Sequence, residues 1–257
     1  MKISIITISY NNEKDIRQTI ESVVNQTYNN IEYIIVDGYS KDDTLKIVEK
    51  YKINISKIIS EPDNGIYDAI NKGIKSATGD IVGLIHAGDI LDNNYVIEDI
   101  AAIFVNDESV EAVYGHGRMF GLNGKVIRTN RSPIFKKSLF RKGYMPSHQG
   151  FYMKRSCFER HGYYNLKYKI AADYELLLRY LYVHDLNVKR YDGYVVRFIV
   201  GGASTKNVNN IIKANQECVA AWEDNGLKLP KLWFFFKALR KFVQFADAQL
   251  YNLKNNK

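Results

Sequence analysis

Two apolar runs in the first third of this chain each end in an acid. Ile34-Ile35-Val36 leads into Asp37-Gly38, and Ile81-Val82-Gly83-Leu84-Ile85 leads into His86-Ala87-Gly88-Asp89. In an open α/β sheet the carboxyl ends of parallel strands open onto the ligand crevice, so acids placed there beside glycine face a bound molecule. One such carboxylate can accept from a nucleobase edge or a ribose, and another can hold a hard cation. The pairing suggests a nucleotide and metal site. For Asp37 to Thr44 the alternative is turn chemistry alone, because Asp-Gly and Ser-x-Asp are common in loops and Ser40 or Asp42 can cap the next helix. Thr7-Ile8-Ser9-Tyr10-Asn11-Asn12 sits in the corresponding place after the first strand, offering hydroxyls and an aromatic face. It has neither the dinucleotide fingerprint nor the P-loop spacing, which argues against those cofactor classes.

The elements that must position these residues follow from periodicity. Lys2 to Ile8, Ile31 to Val36, Ile55 to Ile59 and Asp80 to Ile85 are β-rich runs, and they alternate with helical patterns. The helices carry Ile16, Ile20, Val23 and Val24; Leu45, Ile47 and Val48; Ile66, Ala69, Ile70, Ile74 and Ala77; and Ile97, Ile100, Ala101 and Phe104. Strand-helix alternation predicts right-handed crossovers and a parallel sheet. After Val110 the sheet becomes mixed: Glu111 to Phe120 and Lys125 to Thr129 flank an Asn123-Gly124 hairpin signal. Asn130 to Pro146 is basic and aperiodic and reads as a surface segment or mobile loop able to close over a ligand. Ser147 to Lys154 predicts a strand, Asp173 to His184 a helix, and Tyr191 to Val200 a last strand.

A chain of 257 residues with 46% hydrophobic residues can bury one sizeable core,. The expected organisation is an α/β domain over 1–205, with a nucleotide-binding half at 1–105 and an acceptor half at 106–205, followed by a helical extension at 206–257. No apolar run reaches eighteen residues and no signal-peptide core is evident, which predicts a cytoplasmic protein. Cys157 and Cys218 lack metal-type spacing and read as small buried hydrophobes. The net charge of +8 suits an anionic substrate, a membrane surface or nucleic acid, and composition alone does not choose,. The basic residues are scattered and no nucleic-acid motif is recognised, so nucleic acid is not an expected partner.

Several ordered stretches together carry a resemblance. They are Ile6-Thr7-Ile8-Ser9-Tyr10-Asn11, Gln26-Thr27-Tyr28, Val36-Asp37-Gly38-x-Ser40-x-Asp42-x-Thr44, Glu61-x-Asp63-x-Gly65-Ile66-Tyr67-Asp68-Ala69-Ile70-Asn71-Lys72-Gly73, Ala77-x-Gly79-Asp80 and Ala87-Gly88-Asp89. Over residues 1 to about 205 the chain resembles the family 2 glycosyltransferases, inverting enzymes of the GT-A fold that use nucleotide-sugar donors. Tyr67 to Gly73 and Ser147-His148-Gln149-Gly150-Phe151 are most similar to the bacterial exopolysaccharide, capsule and lipopolysaccharide branch. The resemblance implies that Thr7, Ser9, Tyr10, Asn11 and Asp37 hold the nucleoside. It also implies that Asp68, Asn71, Lys72 and Gly88 lie along the ribose and diphosphate. Asp68 and Lys72 are also one helical turn apart, so a structural ion pair is the alternative there.

Many members have two acids where this chain reads His86-Ala87-Gly88-Asp89, and only Asp89 remains. One carboxylate can suffice for manganese or magnesium when donor phosphates and water complete the shell. His86 reads as a hydrogen-bonded structural residue or a second ligand, and His148 as a ligand or a packing histidine. Asp92 reads as a surface or capping acid. An inverting transfer needs a base at the acceptor hydroxyl. Asp173 is the candidate, because Ala171-Ala172-Asp173-Tyr174-Glu175 resembles the family's acid-bearing motif, with alanine in place of the first acid; an N-cap is the alternative role. Arg179, Arg197 and Lys206 are candidates to assist the diphosphate. Gly201-Gly202-Ala203-Ser204 resembles the segment that ends the catalytic region in this branch.

Past Pro230, Leu232, Phe235, Phe236, Leu239, Phe242, Val243, Ala246 and Leu250 share one helical face, with Lys237, Arg240, Lys241 and Gln244 away from it. The Pro230 to Tyr251 helix therefore predicts either an interfacial helix for a lipid-linked acceptor on the inner face of the cytoplasmic membrane, or a face that packs on the catalytic domain or in a homodimer. As an enzyme, a sugar-1-phosphate nucleotidyltransferase is the alternative, although Thr7 to Glu13 lacks the glycine-rich basic loop typical of that class. A basic nucleic-acid or membrane-surface binding module is the non-enzymatic one.

Overall fold

The computed structural model describes residues 1–121, 124–199 and 208–255. Leu122 and Asn123 of the expected hairpin turn, the Gly201 to Ser204 segment and Lys206 lie outside them. The first half runs β1 (Ile3–Ser9), α1 (Ile16–Val24), β2 (Ile31–Asp37), α2 (Thr44–Glu49), β3 (Lys57–Ser60), α3 (Ile66–Ser76) and β4 (Ile81–Leu84). It continues through β5 (Ile90–Leu91), α4 (Val96–Asn106), β6 (Ala112–Phe120) and β7 (Val126–Asn130). Then come α5 (Lys137–Arg141), β8 (Phe151–Lys154), α6 (Arg155–His161), α7 (Ala172–Leu177, continued as a π-helix to Val183), β9 (Val188–Ile199), α8 (Val208–Asp224) and α9 (Trp233–Asn255).

All seven residues of β1 are buried, as expected of a central strand covered on both faces,. Its side chains divide with the strand period of two. Ile6 and Ile8 join Ile34, Val36, Val82 and Leu84 in one core layer, while Ile3 and Ile5 join Tyr33, Ile35 and Ile81 in the other. The first layer is covered by Tyr67, Ile70 and Ile74 of α3, and the second by Ile16 and Ile20 of α1 with Ile97 and Ile100 of α4. Close approach of α3 depends on Gly73, where a Cβ would fall 2.5 Å from Ile6 Cγ2.

The sheet order is β3-β2-β1-β4-β8-β6-β9-β5, with β7 paired to β6. Pairing is parallel from β3 to β4, antiparallel at β8 and at β7, and parallel again between β6 and β9. Parallel order places the carboxyl ends of β1 and β2 in register, with Ser9 opposite Asp37.

Three expectations are corrected beyond β7. The Asn130 to Pro146 segment is not a loose surface loop: it contains α5, and Phe140 is fully buried against Tyr174, with its carbonyl accepting from Trp233 Nε1 at 3.1 Å. His148 lies on a 3-10 turn (His148–Gly150) that precedes β8, instead of on a strand. The third correction concerns α9, whose amphipathic face is turned. Trp233 and Ala248 are buried, and Lys237, Arg240 and Gln244 face the protein, whereas Phe235 is 62% and Phe242 72% exposed. Lys241 is exposed, as expected. No helix among the described residues is long and apolar enough to cross a membrane.

Candidate functional site

At the carboxyl ends of β1 and β2 two loops are tied to each other. Asn11, with φ 48°, donates its backbone N–H to Ser40 Oγ at 2.9 Å, and its side-chain oxygen accepts from the Lys41 N–H at 2.8 Å. Tyr39 also has positive φ, at 65°. Two non-glycine residues in the left-handed region mark loops whose shape is imposed by their surroundings. Beneath them Asp37 is fully buried and accepts from the Ser40 N–H at 2.9 Å and the Ser60 hydroxyl at 3.0 Å. Its carboxylate thus builds the loop in place of facing open space.

Around this frame lies a cavity of about 820 Å³, whose walls include Ser9, Tyr10, Gly38, Tyr39, Asp63 and His86. Tyr10 is 63% exposed and Tyr39 50%, so two aromatic faces stand at its rim. Gly38 lies between the Tyr10 ring and Asp63, since a Cβ there would meet Asp63 Oδ2 at 2.5 Å and Tyr10 Cδ2 at 3.3 Å. Buried polar atoms without partners cluster here and at the neighbouring end of β4: Ser9 Oγ, Asn12 Oδ1, His86 Nδ1 and Asp89 Oδ2. Unmet buried hydrogen-bonding groups are uncommon in native proteins, and these four at adjacent strand ends fit a ligand site, others lying beside β6 to β9,.

Among the other expected donor residues, two have side chains committed to the interior. Thr7 Oγ1 is 3.0 Å from the Tyr33 hydroxyl, and Asn71 clasps the Tyr164 backbone, donating to its carbonyl at 2.9 Å and accepting from its N–H at 3.0 Å. Asp68 accepts from the Asn64 N–H at 2.9 Å and pairs with Lys72 at 3.6 Å. Lys72 also reaches Glu61 at 2.9 Å and the Pro62 carbonyl at 2.8 Å, so it holds the loop after β3. Gly88 has φ 99°, and its N–H donates to Thr19 Oγ1 at 2.9 Å, fixing the turn that carries Asp89. Tyr39 and Asp63 carry no assigned role in the sequence, although Asp63 belongs to the Glu61 to Gly73 stretch; it follows β3 at the same sheet edge as Asp37, and that placement is the available signal.

Asp89 is buried, and burial raises its carboxyl to about 7. His86, expected to be hydrogen-bonded, has no partner at Nδ1, and burial first, then the neighbouring His148, pushes it down to about 3. The two histidine rings are 5.7 Å apart. No group of three or more His, Cys, Asp or Glu residues among the described ones could enclose a metal. An orphaned carboxylate oxygen with a raised pKa fits a single-acid cation site, because a cation restores the ionised form that burial disfavours.

Asp173 meets this region from α7. Its Oδ2 is 2.9 Å from His148 Nδ1, and the Tyr67 hydroxyl is 3.2 Å from its Oδ1 and 2.7 Å from the Ile170 carbonyl. Burial raises the Asp173 pKa, but His148 beside it prevails and holds the carboxyl below its usual value. Burial likewise opposes charge on His148, while Asp173 and then Asp89 raise its pKa above the usual value. With Nδ1 committed to Asp173, any ligand role of His148 falls to Nε2. Asp173 is not the helix cap. Ala171 holds the cap position without a side-chain bond, and Glu217 of α8 fixes the turn just before the helix, accepting the Lys169 N–H at 3.0 Å and the Ile170 and Ala171 N–H groups at 2.8 Å each.

The remaining candidates serve the scaffold. Arg179 binds Glu175 at 2.8 Å and the Tyr163 carbonyl at 2.9 Å. Arg197 lies 3.3 Å from Asp92, which also receives Arg118, so Asp92 ties β5 to β6 and β9 and is not a capping acid. A second cavity, of about 360 Å³, starts at Asp89, His148 and Asp173 and reaches Lys237 and Arg240 of α9.

The family model Glycosyl transferase family 2 matches residues 4–162. An uncharacterised glycosyltransferase of Mycobacterium tuberculosis (strain CDC 1551 / Oshkosh) is 34% identical over 183 residues, covering 69% of this chain and 68% of its own. Among solved structures, Staphylococcus aureus TarS 1–349 in complex with UDP-GlcNAc superposes with a TM-score of 0.67 at 20% identity, over 86% of this chain and 66% of that one. The mannosyltransferase PcManGT of Pyrobaculum calidifontis, in complex with GDP-Man and Mn2+, gives 0.64 at 16% identity, over 99% and 75%. At these identities the two structures share the fold with this chain, the GT-A arrangement.

Proposed function

The chain belongs to glycosyltransferase family 2, and on that premise we propose that it moves one sugar, with inversion, from a nucleotide-sugar donor to a glycan or lipid-linked acceptor in bacterial surface polysaccharide synthesis. The observation that carries this reading is the adjacency of two cavities near the carboxyl ends of β1 and β4: His86 lines the first, and Asp89, three residues on, lines the second together with His148 and Asp173. The nucleoside occupies the Tyr10 and Tyr39 cavity, where Asp63 and Ser9 offer polar contacts and Asp37 keeps the loop in shape. Lys72 and Asp68 border its ribose side through the loop after β3.

Asp173 is the base. Its low pKa keeps it ionised at neutral pH, and His148 and Tyr67 fix its orientation. A carboxylate so held removes the proton of the acceptor hydroxyl as that oxygen attacks the anomeric carbon from the face opposite the leaving diphosphate. Asp89 is the residue that would hold manganese or magnesium, and the cation would supply charge neutralisation to the leaving group. The exposed apolar side of α9 supports a peripheral position on the cytoplasmic face of the membrane,.

Thermal shift with a panel of nucleotide sugars, including UDP-GlcNAc and GDP-mannose, tests the reading with and without manganese. A ligand at a hundred times its Kd adds about 2.7 kcal/mol of stability, which a melting curve resolves. We expect one nucleotide class to raise Tm, and chelation or Asp89→Asn to reduce that rise. A panel in which no nucleotide or nucleotide sugar moves Tm would overturn the assignment.

A further inference from the structure

Three half-buried cations stand together at the α9 end of the second cavity, Arg128 of β7 with Lys237 and Arg240 of α9, and the exposed Lys241 lies beside them. No carboxylate among the described residues forms an ion pair with any of them. Arg240 donates to Asn130 Oδ1 at 2.9 Å and lies over the Tyr144 ring at 4.3 Å, and Lys237 donates to Asn215 Oδ1 at 2.8 Å. Arg128 Nε is buried without a partner. Burial lowers all three pKa values, that of Arg240 to about 10, and Arg128 further lowers Arg240. Cations partly withdrawn from water beside like charge are costly unless an anion joins them.

On its other side Arg240, together with Gln244, borders a mainly apolar groove of about 370 Å³ between α5 and α9, lined by Pro133, Leu139, Tyr144, Phe236, Leu239 and Val243, with the charged Arg131, Lys142 and Asp247 also on its walls. The same two side chains therefore stand between an apolar channel and a polar cavity that ends at Asp173. The outer side of α9 continues the apolar surface with Phe235 and Phe242. The helix reaches this depth because Gly143, with φ 65°, lets the Lys237 backbone approach to where a Cβ would stand 3.0 Å from its Cα.

We propose that Arg128, Lys237 and Arg240 bind the phosphate of a lipid-linked acceptor, whose hydrocarbon chain lies in the groove along α9 while its sugar hydroxyl reaches Asp173. This deepens the glycosyl-transfer reading and rests on it. Charge complementarity selects phosphate, since arginine binds it through paired N–H groups, and the adjoining groove selects a chain attached to it. A donor diphosphate would compete for this place only if the two ligands overlapped, and that is measurable.

The test is calorimetric titration of the full chain, saturated with UDP, by inorganic pyrophosphate and by farnesyl diphosphate. Both are expected to bind without displacing UDP, farnesyl diphosphate at least ~10-fold more tightly because its chain enters the groove. Arg240→Gln and Lys237→Gln should each weaken both by ~10-fold or more while leaving UDP affinity unchanged. Arg128→Gln, which removes a side chain whose Nε has no internal bond, gives the same reading should the α9 variants misfold. Displacement of UDP by pyrophosphate would overturn the proposal in favour of a donor site, as would variants that bind within twofold of wild type. Equal affinity for the two probes would overturn the lipid assignment. Pyrophosphate bound by a chain that no nucleotide or nucleotide sugar of the thermal-shift panel stabilises would instead fault the nucleotide-sugar reading.

Discussion

Asp173→Asn isolates the proposed base. The substitution keeps the side-chain volume and leaves an amide whose oxygen can accept from His148 Nδ1–H at the 2.9 Å position, while its NH2 donates to the Tyr67 oxygen at the 3.2 Å position and Tyr67 still donates to the Ile170 carbonyl. What disappears is the negative charge. Fold stability should fall by only about 1–2 kcal/mol, the scale of a weakened charge-assisted hydrogen bond. Turnover should fall far more. A positioned general base contributes about 10²- to 10⁴-fold, which is about 2.7 to 5.5 kcal/mol of barrier at 1.36 kcal/mol per decade. Donor affinity should be unchanged, because the Tyr10 and Tyr39 cavity draws on other loops. The assay is kcat with the donor that the thermal-shift panel identifies, beside donor Kd by calorimetry. A companion variant, His148→Asn, removes the neighbour that offsets burial, so the Asp173 pKa should rise and carry the acid limb of the rate profile to higher pH,. Turnover within threefold of wild type in Asp173→Asn, at unchanged donor affinity, would refute the base; a parallel loss of donor binding would make Asp173 a donor contact.

Two other perturbations follow from burial. His86 and Asp89 pull metal-free stability in opposite directions between about pH 7 and 4. The unfolded chain protonates His86 near 6.5 but the folded chain only near 3, so acidification costs stability; folded Asp89 takes its proton near 7 and the unfolded one near 3.8, so acidification restores it,. Melting curves from pH 7 to 5 should therefore fall more steeply for Asp89→Asn than for wild type and rise for His86→Gln; identical slopes would contradict the burial of both groups. On α9, Trp233→Ala should cost about 3–5 kcal/mol in urea unfolding, while Phe242→Ala at 72% exposure should cost under about 0.5 kcal/mol,. Equal losses would mean that the helix docks by its other face.

Much of the nucleotide-binding half was legible because its signals are local. The β-rich run of β1, the Ile66 to Ala77 pattern and glycine beside acids at strand ends identify the parallel unit and the loops at its carboxyl edge. The segment from Asn130 to Pro146 was not legible, because the burial of Phe140 depends on Tyr174 and Trp233, which are far along the chain. The resemblance pointed to Asp173 but not to its link with His148, since 25 residues separate a 3-10 turn from the first turn of α7 with no common period.

The sequence by itself determined the alternation of strands and helices, the acids at the ends of β2 and β4 and the amphipathic character of the last helix, because these depend on neighbours within a few residues. Only the tertiary structure decided which way those groups face. Ser40 and Ser60 turn the Asp37 carboxylate into its own loop, and the cavity beside β7 draws Lys237 and Arg240 of α9 inward, leaving Phe235 and Phe242 outside. Helical period fixes which side chains share a face, but which face turns inward is decided by the surface that receives it.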